Sequence, residues 1–166
     1  PVADDGHVDA EKFVLGQAPH FVEAYLCKED PAKPGTKQYM SVQAIEPQFY
    51  AALLDGLGLG DAEGLPDQND RSGWPWMKTR LASIFLTKTR DEWAEIFYAT
   101  DACTVPILNA QEAALHPHNV ARGSFSPTPG LEGAHEPNPA PKLSRTPGLT
   151  PRPNPKPGLD TQQVLE

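Results

Sequence analysis

Tyr39-Met40-Ser41-Val42-Gln43-Ala44-Ile45-Glu46-Pro47-Gln48-Phe49-Tyr50 changes character halfway along. Gln38–Ile45 reads as a strand, rich in aromatic and β-branched residues. Pro47 then opens a helix, because a proline at the first helical position gives up an N–H that has no partner there. Phe49, Tyr50, Leu53, Leu54 and Leu57 form one apolar face of that helix. The stretch 56–60, Gly-Leu-Gly-Leu-Gly, comes after a helix, whereas a phosphate-binding loop comes after a strand and opens a helix. It is a helix C-cap and turn.

Upstream, His20–Leu26 alternates as a strand, and Lys28–Lys37, with its prolines and glycine, is a hairpin-type loop. Residues 1–19 are polar and weakly patterned, a linker with one helical turn around Asp9–Leu15. Downstream, a polar loop runs to Gly73. A second helix then carries Trp74, Met77, Leu81, Ile84 and Phe85 as its stripe. A third starts at a capping box, Thr89 with Glu92, and buries Trp93, Ile96 and Phe97. Ala102–Leu108 is a short strand. Asn109 caps a short helix, and a further turn lies around His118–Arg122.

From Ser126 prolines recur at 127, 129, 137, 139, 141, 147, 151, 153, 155 and 157. A chain so interrupted forms neither a regular helix nor a central strand, and extended polyproline II structure is expected. It is either a free tail or an arm that wraps another domain. The fold class is therefore α/β, an α+β small domain with an extended proline-rich C-terminal arm. The expected divisions are a linker at 1–19, the small domain at 20–122 and the arm at 123–166. The chain starts at Pro1 and stops inside the helical Thr161–Glu166, so both ends read as cut, and a fragment is expected.

The formal charge is −8. The part from Pro117 onward carries five Lys/Arg against four Asp/Glu, which leaves −9 on the rest. An acidic body without a basic face excludes general nucleic-acid binding. No apolar run approaches the roughly 20 residues of a membrane span. Cys27 and Cys103 lie in no zinc-like spacing, and two buried free thiols in a reducing, cytoplasmic setting are expected.

Glu46 stands between a strand end and a helix start, where ligands often bind, and beside the positive end of a helix. The alternative is that it merely complements that dipole. The five histidines are scattered, and Pro117 between His116 and His118 disfavours a shared metal. Asp101 suits a turn. Trp74, Trp76 and Trp93 are read as core residues, and Arg122 as a surface residue or an anion partner. PxxP-like pieces near Pro137–Pro141 and Pro151–Pro157 could dock an aromatic groove.

Four stretches in order, Tyr39–Tyr50, Thr100–Leu108, His118–Phe125 and Pro139–Pro147, together resemble CoA-transferase family III, and within it the α-methylacyl-CoA racemases. The closing Gly158-Leu159-Asp160-Thr161 with Val164-Leu165 fits too. The resemblance implies a large Rossmann-like domain and a smaller α/β domain in each subunit, with two subunits interlocked as rings. This chain would be the small domain plus the arm that returns to the large domain. The racemases move the α-proton of a 2-methylacyl-CoA between two faces, using a His and an Asp that both lie in the large domain. Coenzyme A arrives with the substrate, and no other cofactor is implied. The Glu of the family's Ile-Glu-Pro motif matches Glu46, in a supporting role that orients the catalytic His. Ile45 and Pro47 would flank the acyl chain. Val22 stands where relatives carry a Tyr facing the acyl pocket, and the loop Lys28–Lys37 is longer than usual, so acyl selectivity is expected to differ. The expected partners are an acyl-CoA and either a second complete subunit or a large-domain chain; this chain alone is expected to be inactive. Two alternatives remain, a family III CoA-transferase working through an Asp nucleophile and a non-catalytic proline-rich interaction module.

Overall fold

The computed structural model describes residues 19–148, 157, 158 and 160–166. The helical turn expected near Asp9–Leu15 and the Pro151–Pro157 piece lie outside the described residues, save Pro157. The chain divides into two compact units, Pro1–Ile107 and Leu108–Glu166.

The first unit holds a sheet in the order β1-β2-β3, with β1 at Val22–Leu26, β2 at Tyr39–Gln43 and β3 at Thr104–Pro106. Both pairings are antiparallel; Tyr25 faces Met40, and Met40 faces Pro106. Alternation along the strands sorts side chains to two faces. Tyr25, Met40, Val42 and Thr104 lie on the buried one. Against it pack α1 (Pro47–Gly56), α2 (Trp74–Phe85) and α3 (Arg90–Phe97). Leu53, Met77, Leu81 and Phe85 are completely buried. Tyr25 stacks on Phe85 at 4.9 Å, and Phe85 meets Trp93 edge-on at 5.3 Å. Such pairs add about 0.5–1.5 kcal/mol beyond the area they bury.

The local signals act as expected. Pro47 sits at the start of α1. At its other end Gly58 takes φ 72°, its N–H donates to Asp55 O, and that of Leu59 to Leu54 O. These are the two bonds of a Schellman motif, whose left-handed residue favours glycine. Thr89 and Glu92 form the capping box of α3.

Three core expectations are corrected. Trp76 is 51% exposed, with the Arg80 guanidinium 5.6 Å over its ring. It lies two residues from Trp74, about 200° round the helix, on the solvent side. Ile96 is exposed at the rim of α3. Cys103 is exposed at the corner before β3, with φ 47°, while Cys27 is buried.

The second unit contains α4 (Ala110–Leu115), α5 (Pro117–Ala121), a hairpin of β4 (Phe125–Pro127) with β5 (His135–Pro137), and α6 (Thr161–Leu165). Backbone hydrogen bonds tie α5 to the hairpin: Ser124 N–H donates to Asn119 O, and Asn138 N–H to Ser124 O. The arm is thus not extended throughout. Its hairpin has only two strands and accommodates Pro127 and Pro137 at strand ends, where no ladder N–H is demanded of them.

Candidate functional site

The corner between β2 and α1 is built from backbone outward. Ala44 N–H donates to Phe21 O at 2.9 Å, and Ile45 N–H to Gln43 O at 3.0 Å. Glu46 is the N-cap of α1, in extended conformation (φ −76°, ψ 147°). Its carbonyl accepts the N–H of Tyr50 at 2.9 Å, which starts the helix. Its side chain does not cap the helix. That carboxylate is exposed and makes no hydrogen bond or ion pair with the described residues. A helix N-terminus beside it stabilises negative charge. An acceptor on a fixed corner is thus free to receive an N–H from outside the unit.

Two buried side chains support the corner. Gln68 donates from Nε2 to Ala44 O (3.1 Å) and to Ile45 O (2.9 Å). Its own backbone carbonyl accepts the indole N–H of Trp74 at 2.8 Å. His20 Nε2 shares a hydrogen bond of 2.9 Å with the Tyr50 hydroxyl, linking the start of β1 to α1. Burial, and secondarily the Lys78 charge, lowers the His20 pKa to about 4. Burial, with the Asp67 charge adding to it, pushes the Tyr50 hydroxyl up to about 12. Both rings are therefore neutral near pH 7 and act as structure.

The other expected site residues fall close by. Ile45, Glu46 and Pro47 are consecutive at the corner, and all three are exposed. Val22 pairs with Gln43, so the two share the outer face of the sheet, two residues before Ile45. Val22 is half-buried and packs against the core cluster, while Ile45 is 47% exposed. Val105 and Ile107 extend that apolar outer face along the β3 edge. Asp101 lies in an exposed bend, consistent with a turn. Among the described residues no group of three or more His, Cys, Asp or Glu is placed to hold a metal. Sequence reasoning missed His20 and Gln68. His20 offered no signal beyond its place at the head of a strand, and Gln68 stands in a polar loop, where a glutamine is ordinarily solvated.

Residues 20–161 match the sequence pattern of CoA-transferase family III. The chain belongs to CoA-transferase family III. It is 50% identical over 93 residues to the α-methylacyl-CoA racemase of Mus musculus, and 50% identical over 88 residues to that of Homo sapiens. Those matches cover 56% and 53% of this chain but 24% and 23% of the two racemases. A CaiB/baiF CoA-transferase family protein of Caenorhabditis elegans is 32% identical over 128 residues, 75% of this chain and 33% of that protein. The chain thus spans about a quarter to a third of the length of the curated relatives it matches. In this family III chain the Ile45-Glu46-Pro47 corner is the place where an exposed carboxylate, a helix N-terminus and an apolar sheet face meet. No helix among the described residues is long and apolar enough to cross a membrane.

Proposed function

We propose that this chain forms the small-domain portion of a racemase that epimerises the α-carbon of 2-methylacyl-CoA thioesters. The observation that carries this is the unpartnered Glu46 carboxylate at a braced corner, in a chain half identical to two α-methylacyl-CoA racemases over the matched regions.

The reaction removes the α-proton from one face of the thioester and returns a proton to the other. It needs two groups that each give and take a proton near the working pH. Those groups, a His and an Asp, are assigned to a large-domain half that this chain does not supply. Glu46 accepts the far N–H of the catalytic imidazole. That bond selects the tautomer whose other nitrogen is free to take the α-proton, and it stabilises the imidazolium that results. Ile45, Pro47 and Val22 form the wall against which the acyl chain lies. Coenzyme A comes with the substrate, and the active form is an interlocked dimer of complete subunits or a complex with a large-domain chain. The two free thiols, Cys27 and Cys103, suit a reducing cytoplasmic setting.

The test is exchange of the α-proton of 2-methylacyl-CoA with solvent deuterium. The isolated chain should show none. Residues 20–161 grafted in place of the matching segment of the mouse racemase should restore exchange. Exchange by the isolated chain, or a folded graft without activity, contradicts the proposal. A second possibility, acyl-CoA transfer through an Asp nucleophile, draws on the 32% identical CoA-transferase relative. A trapped covalent CoA thioester on the grafted protein would decide for it.

A further inference from the structure

Gln68 is a buried amide in the loop between α1 and α2, only 8% exposed, and its side-chain bonds converge on one corner. A loop glutamine that merely filled space could be replaced by Leu or Met without leaving polar atoms to satisfy. Here both backbone carbonyls on the strand side of Glu46 depend on it. The carbonyl of Ile45 belongs to the peptide plane that leads into Glu46, and Gln68 Nε2 holds it at 2.9 Å. The carbonyl of Glu46 belongs to the plane that leads out, and the Tyr50 N–H holds it at 2.9 Å. Peptide planes are rigid, so pinning both leaves the carboxylate only its side-chain torsions. Gln68 is itself held: Trp74, 5% exposed and edge-on to Phe21 at 5.9 Å, donates its indole N–H to the Gln68 backbone carbonyl.

From this geometry we infer that Gln68 is a positioning residue, which fixes the direction in which Glu46 is presented. The inference rests on the proposal that Glu46 serves the reaction, and it adds a residue outside the Ile45-Glu46-Pro47 motif. Misplacing a catalytic partner by about 1 Å costs up to about 100-fold in rate. Gln68 touches Ile45 only through its backbone carbonyl and, being buried, offers no side-chain surface to the acyl chain, so the loss should appear in kcat.

The test is a double-mutant cycle in the graft carrying residues 20–161. Gln68→Met keeps the buried volume and removes both N–H donors. It should lower kcat by about 10- to 100-fold with KM within about 2-fold. In a Glu46→Gln background it should lower kcat no further, since two residues acting through one interaction are not additive. Trp74→Phe keeps an aromatic ring, removes the N–H that anchors Gln68, and should lower kcat in the same direction by less. This second variant serves if Gln68→Met does not fold. Independent, multiplicative losses overturn the inference and leave the Glu46 proposal standing. A Glu46→Gln graft with unchanged kcat overturns both. In the chain itself, Gln68→Met should shift the carbonyl ¹³C resonances of Ala44 and Ile45; unmoved resonances also overturn it.

Discussion

His20 Nε2 and the hydroxyl of Tyr50 lie 2.9 Å apart in the core, although thirty residues separate them in sequence. The pair joins the start of β1 to the first turn of α1, under the corner that carries Glu46. Tyr25 closes the same knot by donating from its hydroxyl to His20 O at 2.6 Å.

Because burial lowers the His20 pKa from 6.5 to about 4, the unfolded chain binds a proton there before the folded chain does. Stability should therefore rise with pH from about 4 to about 6.5 and fall on acidification through that window. The full contribution is about 3 kcal/mol, from about 1.4 kcal/mol per pKa unit. Urea unfolding at pH 7 and pH 4.5 should show the loss, and His20→Phe should flatten it. An unchanged slope in His20→Phe would assign the acid sensitivity to other groups.

Gly56 ends α1 against Phe97, and an added Cβ there would collide with the Phe97 ring. Phe97 is 3% exposed and packs on Trp93 at 6.0 Å, so the ring cannot swing away freely. Gly56→Ala should destabilise by about 1–3 kcal/mol, the usual cost of overpacking, despite alanine's better helix propensity. Thermal unfolding checks this, and a stabilised variant would show that Phe97 can give way.

Thr89→Ala removes the side-chain oxygen that accepts Glu92 N–H at the start of α3. A lost cap costs about 1 kcal/mol. The Glu92 carboxyl is held below its ordinary pKa by the Thr89 N–H and hydroxyl. In Thr89→Ala its titration, observed by NMR, should move upward. No movement would mean that the hydroxyl does not contribute to holding the charge.

The corner is legible in the sequence because its signals are local. Pro47 marks a helix start, the β-rich run before it marks a strand, and Glu46 can only fall between them. The caps at Thr89 and Gly58 are local in the same way. His20 and Gln68 are not legible, since their roles come from partners far along the chain, and a histidine or a glutamine alone does not announce burial. Trp76 and Cys103 mislead because residue type stands in for position. Trp76 is on the wrong side of an amphipathic helix, and Cys103 occupies a left-handed corner outside the strand. The hairpin β4–β5 is hidden by its prolines, which sit at strand ends.

The most direct measurement is the rate of α-proton exchange on 2-methylacyl-CoA by the racemase graft carrying residues 20–161, compared with the same graft bearing Glu46→Gln. That substitution keeps the size of the side chain and removes its charge. If Glu46 orients and stabilises the catalytic imidazole, kcat should fall by about 100-fold or more while KM changes little, in line with the loss of comparable electrostatic partners. Equal rates in the two proteins would contradict the account and leave Glu46 as a surface carboxylate beside a helix dipole.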